Sequence, residues 1–284
     1  MVSKGKTIEK VLYYLFLCVM TVITLFPIVY VIASAFKTNS EILAHPENIF
    51  PVNPTLDNFK IALTSEDFNI PVMFKNSLLF TIANVVINLF ISSCAGYSFA
   101  RGNYPFKKVI FAVFSSLMFI NIGSITIYAL FEILNVLHLS QSLFSLVFIR
   151  LFSIPIINIY LVKSYVTNLP YELDEAAKID GCSFVGIFFR IIAPLLKPLF
   201  ATIGLLAFQS SWNEYLMPTI FTLTRPTERT IIVGIMALKN SGESAANWNL
   251  MLAGSTVAIV PVLLAYAFAN KYFIKGIVAG AVKG

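Results

Sequence analysis

Six stretches of the chain run for more than 20 residues with at most one charge, and polar clusters separate them. Residues 11–36, 76–100, 109–131 and 248–270 hold no Asp, Glu, Lys or Arg, whereas 141–162 holds only Arg150 and 198–223 only Glu214. About 20 helical residues cross a bilayer core of about 30 Å, and lipid offers an open backbone nothing to bond, so only helices or closed barrels span it. Barrel strands would be about 10 residues long with strict alternation, which these continuous runs lack. The pattern predicts an all-α, polytopic membrane protein with six transmembrane helices. Lys4, Lys6 and Lys10 before the first run, and Ala33-Ser34-Ala35 at its end, imitate a secretory signal. The apolar stretch between them is too long for a signal core of about 7 to 15 residues and reads as a retained helix.

Composition narrows the class. The 284 residues are 58% hydrophobic and 12% charged, with a mean hydropathy of +0.82, which excludes an ordinary soluble enzyme. The net charge of +6 is dispersed and never forms a basic block, which argues against nucleic-acid binding. Cys18, Cys94 and Cys182 lack ligand or disulfide spacing, and His45 and His138 read as ordinary surface residues, so no metal site is expected. Alternate loops differ in Lys and Arg: thirteen fall on the side of both termini and six on the other. By the positive-inside rule both termini face the cytoplasm. The chain then divides into a cytoplasmic N-terminus (1–10), a six-helix transmembrane domain (11–270, with a coupling-type loop at 164–197) and a cytoplasmic tail (271–284). The largest external segment, 37–75, is acidic and broken by Pro46, Pro51, Pro54 and Pro71, which suits a lid or docking surface.

The cytoplasmic loop 164–197 carries the most specific grammar. Asn168 can cap a helix start, Pro170 suits a first turn, and Glu172, Asp174 and Glu175 complement the positive helix end. Gly181 supplies a left-handed stop. Ser183 can cap a second helix, in which Phe184, Ile187, Phe188, Ile191, Ile192 and Leu195 form one apolar face. Ala176 and Ala177 leave a small flat apolar spot suited to docking. A solvated interhelical loop is the plainer alternative.

Glu175-Ala176-Ala177, then Gly181, Ile191 and Pro194 at their spacings, resembles the EAA loop of permease subunits of binding-protein-dependent ABC importers, departing from it at Ala193. The segment from Gly96 to Arg101, the Trp212-to-Pro218 run and the tail from Lys271 to Gly284 are similar to those of carbohydrate-type permeases of the shorter, six-span, maltose-transporter kind. The resemblance implies a subunit paired with a second permease, two ATPase subunits and an external solute-binding protein. It further implies an ATPase-coupling helix carrying Glu175, Ala176, Ala177, Asp180, Gly181 and Pro194. It also implies a C-terminal ATPase contact through Lys275, Gly276, Gly280, Lys283 and Gly284, for which a frayed chain end is the alternative.

The chain holds no phosphate-cradling loop: Gly181 and Gly186 have the gap, but Ile187 and Phe188 follow where Lys and Ser or Thr are required. ATP and Mg are therefore expected on partner subunits, and this chain is expected to be non-catalytic. In the fifth run Trp212, Asn213, Glu214 and Tyr215 make a polar and aromatic cluster of the kind that binds sugar hydroxyls along a substrate path, or else pins helices together. Arg150 either pairs with Glu214 or sits near an end of the fourth run. An ion-coupled secondary transporter, a non-transporting scaffold, and an importer of a glycerol phosphate ester are the rival readings.

Overall fold

A computed structural model describes residues 2–119, 125–139, 141–240 and 247–281, and every regular element among them is helical. Among the described residues three helices are long and apolar enough to cross a bilayer unbroken: 9–34 within α1 (Val2–Ser34), α4 (Ile70–Arg101), and 248–268 within α15 (Trp248–Ala281). At 1.5 Å per residue, the 32 residues of α4 rise about 48 Å, more than the apolar core requires. Residues 9–27 are exposed throughout, so this part of α1 presents its apolar surface outward. The segment 37–75 is punctuated as its prolines dictate, into α2 (Asn39–Ala44) and α3 (Asp57–Thr64).

The other three apolar runs are interrupted. The third is divided between α5 (Lys107–Ser116) and α6 (Ile125–Val136). The fourth is split into α7 (Leu143–Arg150) and α8 (Ile156–Thr167), because Pro155 offers no N–H and disfavours helix at Ile154. The fifth is split after α12 (Lys197–Trp212), resuming as α13 (Leu216–Phe221), where Pro218 again removes a donor. Uninterrupted helices therefore do not form across these three runs.

Two compact units make up the chain. In the first, residues 1–73 and 231–260, Asn58 is buried and its amide donates to the carbonyls of Ala35 and Lys37, both at 2.8 Å, while its oxygen accepts from Asn249 at 2.7 Å. Lys37 is buried too, its ammonium bonded to the Asn48 carbonyl. The segment 37–75 is thus pinned by a buried polar network. His45 lies beside an acid after all, with Nδ1 3.2 Å from Glu47 Oε1, and both side chains are exposed.

In the second unit, residues 74–230 with 261–284, the described residues form two apolar cores. One gathers Tyr97, Val162, Val166, Ala177, Ile187, Phe188, Ile192, Leu196 and Ile203. The other joins Phe80, Leu134, Leu146 and Phe221. Gly96 permits the first: a Cβ there would lie 2.6 Å from Val162 Cβ, so α4 and α8 approach closely only without a side chain.

Candidate functional site

Two places in the second unit bring the singled-out residues together: the loop beyond α8 and the broken middle of the fourth and fifth runs.

In the loop, α9 (Glu172–Ile179) is followed by α10 (Phe184–Ile187), a π-turn over Phe188–Ile192, and α11 (Ala193–Leu195). Gly181 has φ +77°, the Gly181 amide donates to Lys178 O at 3.0 Å, and the Cys182 amide donates to Ala177 O at 2.9 Å. These two bonds form the left-handed helix stop expected of that glycine. Ser183 caps α10, its hydroxyl accepting from Gly186 N at 3.1 Å. Asn168 does not cap α9. It closes α8 instead, its side chain donating to Ser164 O at 2.9 Å, and α9 begins at Glu172 without a side-chain cap.

The face of α9 turned into the protein was only partly readable. Ala177 is buried in the first core, so the flat spot expected from both alanines belongs to Ala176, exposed with Leu173 and with Ile179, which is 87% exposed. Glu175 and Asp180 are exposed as well, as is Pro194 on α11. Asp174 is buried opposite Arg101, the last residue of α4, with Arg101 Nε 3.1 Å from Asp174 Oδ2 and side-chain exposures of 10% and 3%. Arg101 also donates to Leu169 O at 2.7 Å and lies 5.0 Å from the centre of the Tyr171 ring. One guanidinium therefore holds both the start of α9 and the strand of chain that leads into it. The π-turn inserts one residue into the following helix, so Leu196 rather than Leu195 joins the buried row of Ile187, Phe188 and Ile192. The chain then turns by 79° into α12.

The expected substrate cluster is dispersed. Trp212 is buried, stacked on Phe208 with centroids 5.7 Å apart and planes 8° off parallel, and edge-on to Phe74. It packs the protein and offers no face to a sugar. Asn213 is exposed and donates to Gln209 O at 2.9 Å, ending α12, and Tyr215 precedes α13. Glu214 accepts from Arg150 Nη2 at 2.5 Å, which decides the partner of Arg150. These two charges, the Ser153 hydroxyl and Ser211 line a polar cleft of about 250 Å³ with Asn84 and Asn88 of α4. Asn88 Oδ1 accepts from Asn158 Nδ2 at 2.7 Å. Uncharged polar residues do not interrupt an apolar run, so the asparagines of α4 escape a reading by charge alone. A signal was present: Ser77, Thr81, Asn84, Asn88 and Ser92 recur at three and four spacing, a stripe along one helix face.

Lys275, Gly276 and Gly280 lie on α15, which continues to Ala281, while Lys283 and Gly284 lie outside the described residues.

A family model described as "Binding-protein-dependent transport system inner membrane component" matches residues 2–278. The chain is 31% identical over 280 residues to the arabinooligosaccharides transport system permease protein AraQ of Bacillus subtilis, covering 98% of this chain and 97% of AraQ. It is 30% identical over 276 residues to the sulfoquinovosyl glycerol transport system permease protein SmoH of Agrobacterium fabrum, covering 97% and 94% of the two chains. The fold is also that of a chain of a bacterial ABC transporter involved in the import of the acidic polysaccharide alginate, with a TM-score of 0.78 at 24% identity, covering 95% of this chain and 98% of that one.

Proposed function

The chain belongs to the family of inner membrane components of binding-protein-dependent transport systems, and from that premise we propose that it is one of two permeases in an ATP-driven importer of oligosaccharides. An extracytoplasmic solute-binding protein delivers the sugar, and two separate ATPase subunits hold ATP and Mg. In this reading the interrupted third, fourth and fifth runs each serve as one span, six spans leave both termini on the same side, and the Lys and Arg distribution makes that side the cytoplasm. The carbohydrate assignment is supported by AraQ among the relatives.

The observation that carries the coupling role is the clamped loop. α9 turns Glu175, Ala176, Asp180 and Ile179 outward while Arg101 and Asp174 hold its other face to α4. A partner that seats on the exposed face therefore moves a helix already joined to a span, and rigid-body motion of packed helices transmits such a push to a distant gate. Gly181 sets where the joint falls, and Pro194 precedes the 79° turn into α12. Lys275, Gly276 and Gly280, with Lys283 and Gly284, form a second ATPase contact in this reading.

The discriminating experiment is uptake into proteoliposomes holding the complete importer. Accumulation of a labelled neutral trisaccharide is expected only with ATP and Mg present. Accumulation driven by a proton or sodium gradient without ATP would instead establish a secondary transporter.

A further inference from the structure

Two of the three helix interruptions in the second unit, those of the fourth and fifth runs, converge on one place. Arg150 and Ser153 stand where α7 gives way, Ser211 and Glu214 where α12 does, and both pairs line the cleft faced by Asn84 and Asn88. Irregular backbone at membrane depth is tolerated where it is buried in protein or lines a cavity, and broken helices mark solute sites in other transporters. Asn84 supplies a second, independent observation. It is 6% exposed, at mid-length of α4, and neither its amide nitrogen nor its oxygen has a hydrogen-bond partner in the protein. A buried carboxamide left unmade is costly, and that cost is recovered when a ligand hydroxyl donates to the oxygen and accepts from the nitrogen.

The charge balance selects the class of ligand. Arg150 is neutralised by Glu214, and the remaining lining groups that carry polar atoms are amides and hydroxyls. No uncompensated cation remains to hold a carboxylate or phosphate. A volume of about 250 Å³ lies below the roughly 300 to 1,000 Å³ of pockets for drug-sized ligands, which suits one sugar ring at a time. We infer that this cleft is a solute subsite of the permease itself, taking single rings of a neutral sugar through Asn84 and Asn88 and disfavouring acidic ones. The inference rests on the oligosaccharide-importer reading and narrows it away from uronic acids and phosphate esters.

The test uses the complete importer in proteoliposomes with labelled arabinotriose, maltotriose and trigalacturonate. The wild type is expected to accumulate at least one neutral probe, with trigalacturonate tenfold slower or worse. Asn84→Leu is expected to raise the half-saturation concentration for the neutral probe about tenfold, while the melting temperature of the assembled complex stays level or rises, because an unpaired buried amide is removed. An asparagine that merely holds helices together would lower that temperature. Glu214→Gln, which leaves Arg150 uncompensated, is expected to shift the uptake ratio toward trigalacturonate. Unchanged half-saturation in Asn84→Leu, an unchanged ratio in Glu214→Gln, or ATP-driven preference for trigalacturonate in the wild type would each overturn the subsite and leave the importer reading standing. Absence of ATP-driven uptake of any saccharide would overturn both.

Discussion

Asp174 and Arg101 show how much a single residue can hide. Asp174 sits in the first turn of α9, where an acid complements the helix dipole, and nothing local distinguishes it from Glu172 or Glu175 beside it. Its burial against an arginine 73 positions earlier is a tertiary fact, as is the burial of Ala177 in place of a docking role. Removing one member of a buried ion pair leaves an uncompensated charge, at a cost of about 3–5 kcal/mol, whereas replacing both with apolar groups is often neutral. Arg101→Met and Asp174→Leu singly should therefore lower the melting temperature of the purified chain, while the double variant should recover most of the loss. Equal losses that simply add in the double variant would show that the two do not act as a pair. Gly181 lies at the opposite extreme. Its left-handed conformation was legible because local bonding alone, to Lys178 and Ala177, demands it.

At the level of elements, length and charge were enough to place α1, α4 and α15, while the Gly181 stop placed the end of α9 and the Ser183 cap the start of α10. What remained illegible were interruptions and phase. Hydropathy runs smoothly through Pro155 and Pro218, so the fourth and fifth runs appear continuous although their helices break. The π-turn over Phe188–Ile192 shifts the apolar face by one residue, something a fixed 3.6-residue period cannot anticipate. Trp212, which the sequence groups with Asn213, Glu214 and Tyr215, is buried with Phe208, one turn earlier, stacked on it, and that burial is a tertiary fact. Close approach of α4 to α8 depends on Gly96 facing Val162. Gly96→Leu should overpack this contact and destabilise the protein by about 1–3 kcal/mol in thermal unfolding, and Val162→Ala in the same chain should restore part of it. No rescue by Val162→Ala would place the damage elsewhere.

For the molecule as a whole, the positive-inside count and the resemblance of the loop 164–197 to the EAA loop imply the same sidedness. Cys182, half-buried just past Gly181 in the loop, gives a direct reading of it. With Cys18 and Cys94 replaced by serine, an impermeant maleimide should label Cys182 in inverted membrane vesicles and leave it unlabelled in right-side-out ones. The reverse pattern would turn the topology over. The central claim, that α9 passes the work of a separate ATPase to the spans, is tested most directly by reversing one exposed charge. In proteoliposomes carrying the assembled importer with Glu175→Lys, insertion and subunit composition should match the wild type, while solute uptake and solute-stimulated ATP hydrolysis are lost together. Uptake at the wild-type rate in that variant would contradict the claim.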